Sequence, residues 1–357
     1  MTFSAGLDES SSSITPATVL KNHSLSHLNT MGLAASAEAF AVFHSMSDLL
    51  PLLDAAAHRH WPVTVLGGGS NVLLADRVDG LVVQSINADI EVLQVSSDNV
   101  LVRVGAGKCW HDWVRESVQY GHGLENLALI PGSVGAAPIQ NIGAYGVEVE
   151  QRIDSVIGFQ ISTRQLRRLS REECRFGYRD SIFKRELSGD FIVTSVVFSL
   201  SRRFQPNLSY GPLADWESRQ SVPVSPLGLI EAVSAIRASR LPDPATIPNA
   251  GSFFKNPIVS QALAQCIGLE YADMPCYPVD DPACCKLAAG WLIEQAGWKG
   301  KSLGKVGMHT RQALVMVNQG GAVLDDVLSL KCRVQSAVYE QFGVRLEAEP
   351  VIVGRCR

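Results

Sequence analysis

Short hydrophobic runs separated by polar turn signals such as S-S-D-N recur between residues 63 and 104, and this pattern is typical of β-strands. Strands are predicted at residues 63–66, which we expect to be buried, and at 81–86, 90–95 and 100–104. The period becomes helical at residues 108–120, where Trp110 and Trp113 share a face and Gly121 follows as a predicted C-cap. Strands followed by a helix, without strict alternation, indicate an α+β fold rather than a doubly wound sheet.

The second half of the chain contains both strand-like and helix-like hydrophobic patterns. Strand-like patterning returns over residues 153–200, centred on 172–184, and residues 206–226 are predicted to be irregular. Helices are predicted from Ser225 and Pro226 to about residue 240, at 286–296, and at 325–342 with Gly343 at the C-terminal end. Two further strands are predicted, at residues 313–318 and 346–353.

Residues 127–146 form a charge-free block that contains glycine and proline. A regular buried element is not expected there, because many backbone N–H and C=O groups would lack partners. Together with the glycine turn at residues 67–71, this block has the composition of loops that surround a diphosphate with backbone N–H groups. The alternative is that both blocks are structural turns.

Two common nucleotide motifs are absent. The turn that begins at Gly67 fails the G-x-G-x-x-G pattern at Val72, so a Rossmann site is not predicted. Gly300, Lys301 and Ser302 resemble the end of a Walker A loop, but Gln295 occupies the position of its first glycine.

Composition narrows the class of protein. The 357 residues exceed the usual size of one core, and two domains or one elaborated domain are expected. A net charge of -4 argues against a general nucleic-acid partner. No apolar run is long enough to span a membrane, and residues 1–21 are predicted to be disordered.

The eight cysteines show no metal-ligand spacing, so free thiols in a reducing cytoplasm are expected. A metal or redox role for the adjacent pair Cys284 and Cys285 is the weaker alternative.

Three polar residues stand out in apolar surroundings, and each has two interpretations. Ser252, in N-A-G-S-F-F-K-N-P, belongs either to a reaction site or to a turn entering a buried strand. Arg179 either forms a core ion pair with Asp180 or provides a fixed cation for a carboxylate or an oxyanion. Glu349 would serve as an acid if buried, but it shares strand parity with Glu347, which by itself favours a solvent-facing position.

The ordered motifs resemble the UDP-N-acetylenolpyruvoylglucosamine reductase family in its longer, type I form. The resemblance rests on L-G-G-G-S-N-V-L from Leu66, on the block from Gly123 through P-G-S-V-G-A-A-P-I-Q-N-I-G-A-Y-G, on C-R-F-G-Y-R-D-S-I-F-K from Cys174, and on the segment around Ser252. It covers nearly the whole chain, from about Asn22 to Gly354. One departure is Pro350 directly after Glu349, where the family pattern differs, and this puts the local strand pairing in question.

The resemblance implies an α+β fold in which an FAD-binding domain of the p-cresol methylhydroxylase type is joined to a smaller C-terminal substrate domain. The implied boundaries are 33–203 for the FAD-binding domain, 204–246 for a connecting segment and helix, and 247–352 for the substrate-binding domain.

The activity implied by the resemblance is NADPH-dependent reduction of UDP-N-acetylglucosamine enolpyruvate to UDP-N-acetylmuramate, through FAD held non-covalently. Arg179 and Glu349 would stabilise the developing charge, and Ser252 would protonate the carbanion. The protein is expected to be a cytoplasmic monomer. The alternatives are another flavin oxidoreductase of the same fold with a covalent flavin, and an inactive homologue that only binds the cofactor or the sugar nucleotide.

The family pattern also supplies binding residues. The expected FAD contacts are Leu66, Gly67, Gly68, Gly69, Ser70, Asn71, Pro131, Gly132, Gly135, Ala136, Ile139, Asn141, Gly143, Tyr145, Gly146 and Val193. The expected substrate contacts are Tyr210, Arg237, Arg240, Lys255, Asn256, Lys299 and Gln312.

Overall fold

A computed structural model describes residues 15, 17–220 and 222–354. The α-helices of this part are α1 (Met46–His58), α2 (Trp110–Ser117), α3 (Gly211–Glu217), α4 (Pro226–Arg240), α5 (Gln261–Glu270), α6 (Ala289–Gln295) and α7 (Leu324–Phe342). Short 3-10 helices cover Glu125–Leu127, Val134–Ala136, Val149–Gln151 and Ile182–Lys184.

The strands of the first 201 residues are β1 (Leu20–Ser24), β2 (Ser36–Phe43), β3 (Val63–Val65), β4 (Val72–Leu74), β5 (Arg77–Ser85), β6 (Ile90–Val95), β7 (Asn99–Gly105), β8 (Gly143–Ala144), β9 (Val147–Glu148), β10 (Ile153–Gln160), β11 (Gln165–Ser170) and β12 (Phe191–Ser201). Those that follow are β13 (Asn249–Ser252), β14 (Ile258–Ser260), β15 (Cys276–Pro278), β16 (Cys284–Leu287), β17 (Ser302–Leu303), β18 (Val306–Met308), β19 (Val315–Asn318) and β20 (Val351–Val353).

The chain divides into two compact units. Unit 1 contains the described residues up to His23, Ala37–Gly69 and Asp79–Ser239. Unit 2 contains Ser24–Ser36, Ser70–Val78 and the described residues from Arg240 onward.

Unit 1 is built on two sheets. One has the order β1-β2-β5-β3, and the other has the order β11-β10-β12-β7-β6 with antiparallel neighbours. Trp110 and Trp113 of α2 are buried in its main core, and Phe198 of β12 packs 5.4 Å from Trp113 between ring centroids. This arrangement confirms the predicted α+β class.

Unit 2 has three small sheets, with the orders β13-β19-β18-β17, β14-β16-β15 and β20-β4. Helices α6 and α7 supply much of its core. The predicted helix at 325–342 is confirmed as α7, and Gly343 ends it with a left-handed φ of 68°.

These units differ from the predicted domain boundaries in two ways. Residues 33–36 and 70–78, which the prediction placed in the FAD-binding domain, belong to unit 2 together with residues 24–32. The reason is that β4 pairs with β20 and that Asn318 donates to the carbonyl of Met31 at 3.0 Å. The predicted connecting segment is instead part of unit 1 up to Ser239, since Leu213 and Leu229 are buried in its main core.

The predicted disorder of residues 1–21 lies mostly outside the described residues. Within the described part, β1 begins at Leu20 and pairs with β2, so the predicted disordered range extends too far.

Several local predictions in unit 1 were wrong. Strand β3 is not buried, because Val65 is 44% exposed. Helix α2 ends at Ser117, before Gly121, whose added Cβ would lie 2.7 Å from Leu200 Cβ. That glycine therefore permits close approach to β12 instead of capping the helix.

The strand-like centre at residues 172–184 is also wrong, because Ile182 N donates locally to Cys174 O and the segment forms turns. Within the region predicted to be irregular, α3 forms because its Pro212 suits a first helical turn and Leu213 is fully buried.

Two predictions in unit 2 need correction. Residues 284–287 form the central strand β16, with Leu287 N bonded to Pro257 O, and α6 begins only at Ala289. The predicted closing strand at 346–353 is regular only over β20.

Candidate active site

The two glycine blocks predicted to bind a diphosphate lie against each other in unit 1. A Cβ at Gly68 would lie only 2.9 Å from the Cα of Gly132, and a Cβ at Gly67 would lie 3.0 Å from Ser133 Oγ. We call Gly67–Gly69 together with residues 131–137 the glycine cradle. Such close backbone approach requires glycine, and it brings together two segments that are distant in sequence.

The donors of the glycine cradle suit an anionic group. Among the described residues, the backbone N–H groups of Gly67, Gly68 and Gly132 donate to no backbone carbonyl. Gly135 and Ala136, in contrast, donate to Ala106 O and Ser133 O. The cradle therefore offers uncommitted N–H groups from its turns, and residues 127–146 carry no charged side chain to compete for them.

Other residues predicted to contact the cofactor lie either in the packed interior of unit 1 or in unit 2. Leu66 and Val193 are buried, with 2% and 6% of their surfaces exposed, so their side chains belong to the packing around the cradle. Ile139 is half-buried against the main core of unit 1. Ser70 and Asn71 belong to unit 2.

Arg179 is held by the carbonyls of a neighbouring loop. Its Nη2 donates to Gly143 O at 2.7 Å, and its Nη1 lies 3.5 Å from Asn141 O. The predicted alternative of an ion pair with Asp180 is wrong, because Asp180 pairs with Arg185 at 3.0 Å. Arg179 has a φ of 55°, an uncommon left-handed conformation that the loop must hold in place.

Two tyrosines and an arginine form a second group in unit 1. The rings of Tyr145 and Tyr210 meet edge to face, with centroids 5.0 Å apart. Arg237 has its Nε buried, with no acceptor among the described residues. Burial and the nearby charge of Arg179 lower the pKa of Arg237, but an arginine stays protonated at neutral pH. A buried donor without a partner is costly, and an anionic ligand would satisfy it.

Sequence reasoning missed the residue that ties this tyrosine group together. Asn126 is 3% exposed, and its Nδ2 donates to Tyr145 O at 2.9 Å and to Asn207 O at 2.8 Å. It therefore joins the loop of Tyr145 to the segment leading to Tyr210. The sequence gives little local signal for this role, because the acceptors of Asn126 lie 19 and 81 positions away.

Unit 2 brings Ser252 and Glu349 together. Glu349 N donates to Phe253 O at 2.9 Å, and Ala348 bridges Phe254, so the closing segment runs antiparallel to the serine loop. Glu349 is 9% exposed, whereas the Glu347 side chain is 71% exposed. The solvent-facing interpretation of Glu349 is therefore wrong.

A register shift next to Ser252 determines the direction of the Ser252 side chain. The pairing of β13 with β19 is irregular between Asn249 and Ser252, and Gly251 has a φ of 70°. Asn249 Oδ1 accepts from Gly251 N at 2.8 Å and holds this bend. Such bulges redirect the side chain that follows them. Among the described residues, no hydrogen bond to the Ser252 hydroxyl is present, so it can donate to a ligand.

Pro350 does not disturb the pairing. Glu349 N bonds to Phe253 O, whereas Val351 N bonds to Asn71 O, where β20 begins its parallel pairing with β4. Pro350 thus lies between two pairing partners, at a position where no backbone donor is required.

Three further residues predicted to contact the substrate lie near the two ends of α6. Asn256 Oδ1 accepts from Ala289 N at 3.0 Å, and Gln312 Oε1 would lie 3.2 Å from a Cβ at Gly290, so both lie near the start of α6. Lys299 follows the other end of this helix and pairs with Glu294 at 2.7 Å.

Two basic candidates remain. Lys255 pairs with Glu347 at 2.5 Å, and Arg240 is the exposed last residue of α4.

Comparisons with known proteins agree with this geometry. The model of the UDP-N-acetylenolpyruvoylglucosamine reductase C-terminal domain matches residues 243–353, and that of an FAD binding domain matches residues 37–165. The UDP-N-acetylenolpyruvoylglucosamine reductase of Bdellovibrio bacteriovorus is 45% identical over 93% of this chain and 99% of its own length. The chain belongs to the UDP-N-acetylenolpyruvoylglucosamine reductase family.

Other members of the UDP-N-acetylenolpyruvoylglucosamine reductase family are similarly related. The Chromobacterium violaceum reductase is 47% identical over 91% of this chain and 96% of its own length. The crystal structure of the Thermus caldophilus reductase matches with a TM-score of 0.65 and 24% identity, covering 94% of this chain and 98% of that one, which shows a shared fold.

Within this family framework, the glycine cradle falls in the matched FAD-binding region. Neither a group of three or more His, Cys, Asp or Glu residues suited to a metal nor a helix long and apolar enough to cross a bilayer occurs in the described part of the chain.

Proposed function

We propose that this protein reduces UDP-N-acetylglucosamine enolpyruvate to UDP-N-acetylmuramate, with NADPH as the electron donor, in the synthesis of peptidoglycan precursors. One observation carries the proposal within the family. A buried carboxyl, Glu349, is held beside the loop of an uncommitted hydroxyl, Ser252, by the bond from Glu349 N to Phe253 O. That arrangement supplies an acidic group and a proton donor to one substrate.

The glycine cradle would hold FAD non-covalently, and the bound flavin would supply the hydride needed at the methylene carbon of the enolpyruvyl ether. The chain itself must then stabilise the charge that spreads over the adjacent carbon and the carboxylate. We assign this task to Arg179 and Glu349. Removing one such preorganised donor typically costs about 10² to 10³ in rate.

Ser252 completes the reaction in this proposal by giving a proton to the substrate carbon next to the carboxylate. Its hydroxyl is a weak acid, so the transfer depends on a short distance and on the strong basicity of the carbanion. The bend at Gly251 is the local feature that aims the hydroxyl. After donation, the serine oxygen regains its proton from solvent.

Substrate recognition is proposed to use the two tyrosines and Arg237. The uncommitted Nε of Arg237 suits an anionic group such as a carboxylate or a phosphate. Tyr210 is 39% exposed and packs against Tyr145, which suits a residue that covers a bound ligand. Arg240, Asn256 and Gln312 remain predicted contacts to the nucleotide sugar.

The cellular setting also remains a prediction. Free cysteines and the use of NADPH favour a reducing cytoplasm, and a monomer is expected.

The test separates the two half-reactions in Ser252→Ala. NADPH should still reduce the bound FAD, whereas reoxidation by the enolpyruvyl sugar nucleotide should fall by about 10² or more, as expected for loss of a positioned acid. Ser336→Ala on the exposed face of α7 is a matched control that should leave both half-reactions unchanged. A purified protein that takes up no FAD would refute the proposed function, and equal loss of both half-reactions would refute the role of Ser252.

A further inference from the structure

The side chain of Asn141 is fully buried, and both of its N–H donors are committed to the protein. Its Nδ2 donates to Glu148 Oε2 at 3.0 Å and to Gly177 O at 3.2 Å, and its Oδ1 accepts from Glu150 N at 3.1 Å. An amide nitrogen has only two hydrogens. No donor therefore remains for a bound cofactor.

These bonds join the two loops that meet at Arg179. Gly177 lies two positions before Arg179, so one bond from Asn141 holds the loop that carries the guanidinium. The backbone of the loop that carries Asn141 holds the guanidinium from the other side. Gly143 O, two positions after Asn141, accepts from Arg179 Nη2 at 2.7 Å, and Asn141 O lies 3.5 Å from Arg179 Nη1. A further link between the loops is the bond from Ser181 Oγ to Ile139 O at 2.6 Å.

Both central residues adopt left-handed backbone conformations, with φ of 46° at Asn141 and 55° at Arg179. Asparagine tolerates this region better than most residues, whereas for arginine it is uncommon and must be stabilised by surrounding contacts. The side-chain bond from Asn141 to Gly177 O supplies such a contact next to the strained residue.

We propose that Asn141 is a positioning residue for Arg179, and that it orients the guanidinium toward the substrate rather than binding FAD. The inference rests on the proposed role of Arg179 in that reaction. It differs from the cofactor contact expected from the family resemblance, because it assigns every polar atom of the Asn141 side chain to the two loops.

The test uses Asn141→Asp and Asn141→Gly. Aspartate keeps the shape but loses both donors and places a carboxylate beside Glu148, whereas glycine keeps the positive φ and removes all three side-chain bonds. Asn29→Asp is the matched control: Asn29 is 5% exposed, and its amide bonds Leu25 O and Leu33 O, both at 3.0 Å, in unit 2.

Three quantities are measured for each variant: FAD affinity, flavin reduction by NADPH, and flavin reoxidation by the enolpyruvyl sugar nucleotide. Both Asn141 variants should bind FAD and accept electrons like the wild type. Reoxidation should slow by about 10²-fold, the usual effect of misplacing a catalytic group by about 1 Å. Asn29→Asp should lower the melting temperature without this selective loss.

A double-mutant cycle provides a readout that a purely structural role would not change. In an Arg179→Lys background, Asn141→Gly should slow reoxidation little further, because the group that it positions is already altered. Full additivity of the two changes would overturn the proposal. Loss of FAD affinity in both Asn141 variants would also overturn it, and would restore the cofactor role.

The failures of this inference and of the proposed function are distinguishable. A wild-type protein whose flavin is not reoxidised by the enolpyruvyl substrate refutes the proposed function, and the inference with it. A wild type that turns over normally, with Asn141 and Asn29 variants equally active, refutes only the positioning role.

Discussion

Replacing Gly68 by alanine tests the glycine cradle most directly. The new Cβ would lie 2.9 Å from Gly132 Cα, whereas ordinary contacts begin at 3.4 Å, so the two backbones must separate by about half an ångström. Gly68 does not have a positive φ, and the effect is therefore steric rather than conformational. Overpacking of this kind typically costs about 1–3 kcal/mol.

We expect most of this cost to appear as weaker FAD binding, because separating the loops moves the uncommitted N–H groups apart. A cost of 1–3 kcal/mol corresponds to a rise in Kd of roughly 5- to 150-fold. The assay is a titration of the apoprotein with FAD, followed by the quenching of flavin fluorescence, together with thermal unfolding of the apoprotein.

Gly268→Ala is the matched control for this experiment. Gly268 lies within α5, and no atom lies within 4 Å of the position of its added Cβ. The change should raise stability by about 1 kcal/mol, the usual gain in a helix interior, and leave FAD affinity unchanged. If Gly68→Ala binds FAD as tightly as the control does, the two blocks do not form the cofactor site.

Three further predictions concern other parts of the chain. Gly143→Ala places a Cβ 2.9 Å from Glu148 Cγ and 3.0 Å from Arg179 Nη1, and it should slow flavin reoxidation more than flavin reduction by NADPH; equal effects on both would contradict it. Burial raises the pKa of Cys174 to about 12, so in native protein iodoacetamide should modify the exposed Cys332 and spare Cys174, as read by peptide mass spectrometry. Burial lowers the pKa of His309 from 6.5, so the unfolded state takes up its proton first and the free energy of unfolding should fall as pH drops below 6.5. Urea unfolding should show a smaller fall in His309→Gln.

Much of the fold follows from local sequence patterns. Short hydrophobic runs between turn signals predicted β6 and β7 nearly to the residue, and helical spacing with a following glycine predicted α7 and its end at Gly343. These elements depend on side chains one to four positions apart, which a single sequence displays directly. The charge-free glycine blocks were recognisable for a similar reason, because glycine and proline restrict the local backbone.

Long-range pairing decided what these patterns did not. Cys284–Leu287 is a strand because β14 and β15 pair with it on either side, although its neighbours suggest a helix. Glu347 is exposed and Glu349 is buried although the two share strand parity. This difference in exposure depends on the serine loop that pairs with them.

In the candidate site, too, some features follow from local sequence and others from long-range contacts. The sequence by itself determined which segments carry the reactive groups and which carry the glycines, because those residue types are visible in short motifs. Only the tertiary structure decided that Gly68 meets Gly132 and that the amide of Asn141 is committed to protein partners. The physical reason is that hydrogen-bond partners and close contacts are set by chain segments far apart in sequence, whose approach no local pattern specifies.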